Sequence, residues 1–178
     1  RRTVLDGQLF RVQTTRSSVD FRRSKSTGLL VGVFKGTTLE PRSDKGGLRH
    51  FDCYKSEVKD ENEKEFARYI ADVADGDVVV IGVNDTACAA KTPITGLVYQ
   101  TMIKLGAPRD VATRHPFKYR EPWVLCGVKG LAPGQAVLET ARVKVFLDVK
   151  VRFWDREGQT ARPRLLCPPR RTDATFEN

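Results

Sequence analysis

Asp77-Val78-Val79-Val80-Ile81-Gly82-Val83-Asn84-Asp85 and, further on, Arg120-Glu121-Pro122-Trp123-Val124-Leu125-Cys126-Gly127-Val128-Lys129-Gly130 decide how this chain folds. Each holds an apolar, largely β-branched run too short for a helix, as a strand covered on both faces requires. Between them Asn84 to Ala87 has loop composition, and Thr92-Pro93 offers a hydroxyl at N-cap and proline at N1. Ile94, Leu97, Val98, Met102 and Leu105 follow at the spacing of one helix face, and Gly106 and Pro108 stop that helix. A basic and aromatic loop, Arg114 to Pro122, then leads into Trp123, which is expected to be buried while Arg120 stays accessible at the rim.

Upstream, Leu9 to Thr14 and Ser18 to Phe21 alternate as an edge hairpin would. Leu29 to Phe34 reads as the first core strand, Gly36 to Gly47 as a long turn, and Leu48 to Asp52 as the returning partner. A helix opening at Ser56-Glu57-Val58 sets Val58, Phe66, Tyr69, Ile70 and Val73 to one side, with acidic residues near its positive end. Downstream, Leu131 to Gly134 is a turn. Val143 to Phe153 alternates over a span longer than an average strand, so it either extends the sheet or offers an edge to a neighbouring chain. The fold class is therefore α/β: a compact, sandwich-like sheet of mixed pairing with two main helices, a long C-terminal strand and a basic tail. Residues 1–156 form one domain, and 157–178, rich in proline and arginine, an extended arm.

Lys and Arg number 31 against 22 Asp and Glu, a net charge of +9 that favours acidic partners, reached through the tail. No apolar run is long enough to cross a bilayer, and Arg1 in place of methionine leaves a removed signal or transit segment open. Cys53, Cys88, Cys126 and Cys167 lack the short paired spacing of a zinc site, so no metal is expected. All four read as reduced thiols, Cys53 and Cys126 as small buried hydrophobes.

The order Gly28-Leu29-Leu30-Val31, Phe51-Asp52, Val78 to Asp85, Arg120-Glu121-Pro122-Trp123 and Gly127-Val128-Lys129-Gly130 resembles the ILEI/PANDER-like (interleukin-like EMT inducer) domain over about Leu9 to Gly130. Family members carry an Arg-Asp-x-Trp step and a Gly-x-Lys-Gly turn, so Trp123, Gly127, Lys129 and Gly130 become the structural motif. Sugar-recognising members, such as the stem domain of O-mannose N-acetylglucosaminyltransferase, use an arginine ahead of the Gly-Leu strand, an acidic residue after the central strand and the arginine before Trp. The resemblance matches the last two as Asp85 and Arg120. Thr27 stands where the first arginine would be, with Lys25 nearby, and Glu121 replaces the aspartate.

Catalysis needs convergent acid, base or nucleophile groups, and His50 and His115, the two histidines, sit in no nucleophile motif. No phosphate loop is present either, so neither a catalytic residue nor a cofactor is expected. A non-catalytic interaction module remains: a structural subunit joining other proteins in a larger assembly, cytoskeletal or ciliary in kind, or a receptor for an N-acetylglucosamine-type glycan held by Asp85, Arg120 and Lys25. Asp85 and Arg120 might equally bridge two loops across the sheet end. The missing upstream cysteines point to an intracellular setting and the family to a secretory one.

Overall fold

The computed structural model describes residues 10–13, 18–21, 27–42, 48–89, 93–121, 123–140, 150–152 and 164–166. In chain order the elements are β1 (Phe10–Gln13), β2 (Ser18–Phe21), β3 (Gly28–Phe34), β4 (Leu48–Phe51), α1 (Ser56–Ala71), β5 (Val78–Asn84), α2 (Gly96–Ile103), α3 (Val111–Arg114), β6 (Trp123–Val128), β7 (Val137–Thr140), β8 (Lys150–Arg152) and β9 (Arg164–Leu166). Five of them form one sheet in the order β4-β3-β5-β6-β7. The α/β class is as expected, but every pairing between described strands is antiparallel rather than mixed. The helices make this so: each connection across them returns the chain to the strand beside the one it left, at the opposite end from a parallel crossover.

β3, β5 and β6 are buried along their whole lengths, as the β-branched runs require. Alternation sends Leu29, Val31, Val33, Val79, Ile81, Val83, Trp123 and Leu125 into one core with Phe66, Tyr69 and Ile70 of α1 and Val98 and Met102 of α2. Phe34, Val78, Val80, Cys126 and Val128 build a second core on the other face. β7, which the sequence reading missed, extends the sheet by pairing Trp123 with Thr140 and Leu125 with Leu138. β1 and β2 pair with each other in a sheet of their own, not on the edge of the main one. Of the long C-terminal strand, Lys150–Arg152 pairs with Arg164–Leu166; residues 143–149, 153 and the rest of the arm lie outside the described residues.

Both helices depart from expectation at one position each. Val58 and Leu97 are 41% and 43% exposed, because each stands about 100° round its helix from the buried stripe. On α1 that stripe instead carries Lys59 and Glu63, both buried and joined at 3.1 Å. Glu63 also reaches α2, which starts at Gly96 rather than at Thr92-Pro93. Its carboxylate accepts the Thr95 N–H at 3.2 and 3.3 Å and the Thr95 hydroxyl, so a side chain from α1 caps α2. At the head of α1, Asp52 accepts the N–H groups of Tyr54 and Lys55 at 3.2 and 3.3 Å while Phe51 enters the core. The Phe51-Asp52 step is thus a core anchor followed by a turn-former.

Cys53, Cys88 and Cys126 are free and buried, as expected, while Cys167 lies outside the described residues. Burial first, then the nearby Glu63 and Asp52 carboxylates, push the Cys53 thiol up to about 12. In the unfolded chain it would ionise near ~8.5, so the stability that the neutral thiol contributes is complete below that pH and is lost as pH rises toward 12. Cys53→Ala is expected to flatten the decline of Tm between about pH 9 and pH 11. An unchanged slope would show that Cys53 titrates normally.

Candidate functional site

β5 runs out of the sheet where β6 runs in, so Asp85, just past β5, and Arg120, just before β6, meet at one sheet end. Arg120 Nε stands 3.5 Å from Asp85 Oδ1, with the two side chains 65% and 51% exposed. Both residues occupy left-handed backbone, Asp85 at φ 56° and Arg120 at φ 54°. Asp tolerates that region through its short polar side chain; arginine has no such excuse. Beside them Tyr119 is 55% exposed, and the Arg120 guanidinium lies 5.4 Å from the centre of its ring. Lys118 pairs with Glu121 at 3.3 Å. Two cations and two anions therefore balance across the loop end.

What fixes this loop lies beneath it. Trp123 is fully buried, donates its indole N–H to the His115 carbonyl at 3.0 Å and packs on Phe117 at 4.5 Å between ring centres. Phe117 is held at both backbone edges: its N–H donates to Tyr99 Oη at 3.0 Å, and its carbonyl accepts the Cys88 S–H at 3.4 Å. Burial raises the ionisation of both Tyr99 and Cys88, so both groups stay protonated at neutral pH. Thr86, whose hydroxyl donates to the Cys88 carbonyl at 2.9 Å, closes the loop after β5 on the same support. The two loops carrying Asp85 and Arg120 thus rest on one aromatic stack.

The third expected anchor is absent from this group. Lys25 lies outside the described residues, and Thr27, in the arginine's place, is directed to Asp52, its hydroxyl 3.4 Å from Oδ1. The Thr27 carbonyl accepts His50 Nε2–H at 2.7 Å. Gly28 follows at φ 128°, where a Cβ would stand 2.1 Å from the Phe51 carbonyl oxygen, so only glycine fits. Sequence reading also missed Tyr119: its place among charged residues was visible, but an exposed ring in a loop carries no periodic signal.

Trp123 aside, the motif expected to be structural lies at the opposite end of the sheet. A Cβ on Gly127 would lie 2.3 Å from the Leu105 carbonyl oxygen, so this glycine lets the end of α2 approach β6. Lys129 Nζ donates to the carbonyls of Ile70 and Ala71 at 2.8 and 3.3 Å, capping α1 with a cation at its negative end. Gly130 then turns at φ 88°. The Gly-x-Lys-Gly sequence therefore joins the ends of α1, α2 and β6.

The molecule is thus an antiparallel α/β domain with a rigidly seated, solvent-facing polar loop pair at one sheet end. A family profile described as Interleukin-like EMT inducer (ILEI) matches residues 27–131, well over half of the chain, and the chain belongs to that family. The match opens at Thr27, ahead of β3, rather than near Leu9, and closes at Leu131, just past β6. No curated protein matches the chain.

Proposed function

We propose that this chain is a non-catalytic recognition module that joins other protein subunits in a larger assembly, with Asp85, Tyr119 and Arg120 at the centre of its contact surface. The observation that supports this reading is Arg120 itself. Left-handed backbone at a non-glycine residue costs about 1–3 kcal/mol, against about 0.2–1 kcal/mol from an exposed ion pair and about 0.5–1 kcal/mol from a cation over an exposed ring. Local contacts do no more than offset the strain, so the conformation serves something other than stability. Exposed arginine and tyrosine are also the side chains that most often anchor protein contacts. Against catalysis, Cys53 and Cys88 are held as thiols, and His50 is engaged by a backbone carbonyl.

Amine-directed crosslinking in the native extract, read by mass spectrometry, is expected to join exposed Lys118 to one recurrent subunit. Tyr119→Ala and Arg120→Ala should each remove that link with Tm unchanged. A link that survives both substitutions, or that vanishes only where Tm also falls, counts against this surface.

A second reading, recognition of an N-acetylglucosamine-type glycan, draws on the convergence of Asp85 and Arg120. A carboxylate that accepts and a guanidinium that donates suit hydroxyl and acetamido groups, and the balanced charge favours a neutral ligand over an acidic one. Thr27 leaves two charged anchors in place of three, which sets the expected dissociation constant near millimolar, about −4 kcal/mol.

A further inference from the structure

We infer that the ring of Tyr119 is a stacking platform for the apolar face of a neutral pyranose whose polar edge is held by Asp85 and Arg120; this rests on the glycan reading above. Asp85 and Arg120 supply hydrogen bonds alone, and a sugar at a surface held only by hydrogen bonds exchanges one set of partners for water's equivalent set with little net gain. An apolar surface beside them changes that balance. Tyr119 is the most exposed of the large hydrophobic side chains among the described residues, and it adjoins Arg120 in sequence and in space.

Its seating is not accidental to the fold. Phe117, two residues earlier, is locked into the core by bonds at both backbone edges. Arg120, one residue later, turns back through φ 54° and lays its guanidinium along the Tyr119 ring while its Nε faces Asp85. The ring is thereby held at the rim with its approach set by its neighbours, which limits the side-chain entropy lost on binding. A β-linked pyranose carries H1, H3 and H5 on one face, giving the apolar patch that such a ring covers. Its hydroxyl and acetamido groups project around the edge, where a donor and an acceptor lie together. The ion pairs of Lys118 with Glu121 and Arg120 with Asp85 leave no surplus charge to select an acidic sugar.

Saturation-transfer NMR on the full chain with methyl N-acetyl-β-glucosaminide tests this. The expected result is transfer strongest at H1, H3 and H5, lost in Asp85→Ala, weakened about three- to tenfold in Tyr119→Ala and kept in Tyr119→Phe. Transfer that is lost in Asp85→Ala but unchanged in Tyr119→Ala overturns the platform and leaves the glycan reading standing. No transfer to the wild-type chain overturns both. Equal loss in Tyr119→Ala and Tyr119→Phe would assign the effect to the hydroxyl and overturn stacking.

Discussion

Glu63→Ala is expected to destabilise the fold by about 3–5 kcal/mol, the largest effect of any single charge removed from this chain. Glu63 is almost fully buried, and its carboxylate serves three groups: the Lys59 ammonium, the Thr95 N–H and the Thr95 hydroxyl. Removing it leaves Lys59, itself buried, as a cation without its partner in a low-dielectric setting, and strips the cap from α2. The double substitution Lys59→Met with Glu63→Leu should recover most of the loss, because two apolar side chains of similar volume need no pairing. Recovery will be incomplete, since the Thr95 N–H must then turn to water. Urea midpoints for the single and double variants decide this. A double variant no better than Glu63→Ala would mean that the cap on α2, not the stranded lysine, sets the cost.

Trp123→Ala should cost a similar amount, about 3–5 kcal/mol, for a different reason. The ring fills the space between the strand and Phe117, and its N–H satisfies the His115 carbonyl, so alanine leaves both a cavity and an unpaired acceptor. Three residues away the expectation reverses. Arg120→Ala removes an exposed pair worth under about 1 kcal/mol, and Arg120→Gly, which relieves the left-handed backbone, should stabilise by about 1 kcal/mol. Thermal melts would order the three as Trp123→Ala far below wild type, Arg120→Ala near it and Arg120→Gly above it. A destabilised Arg120→Gly would show that the arginine is kept for the fold.

The core strands were legible because burial on both faces demands a local composition that a short window reveals: Val78 to Val83 and Trp123 to Val128 could hardly be anything else. Trp123 and Arg120 followed from their places at the strand entry. The pairing sense of the sheet was not legible, since it depends on where each helix returns the chain. Nor was the start of α2, because Thr92-Pro93 carries a local signal that the distant Glu63 carboxylate overrides. The Lys59–Glu63 pair misled in the same way. A charged residue on a helix reads as solvent-facing until its partner, one turn on, is seen to lie inside. Asp85 and Arg120 were brought together as the resemblance implied, but Thr27 was turned away by Asp52, a contact 25 residues distant.

The grip on Phe117 has a consequence for variation. Its two bonds, from Tyr99 and Cys88, engage the main chain and not the loop's outward side chains. Lys118 and Tyr119 can therefore be exchanged, singly or as a randomised pair, with the loop's path dictated from below. The domain is in that sense a natural display frame: selection, in the laboratory or in a lineage, can rewrite what its rim reads while the part that folds is left untouched.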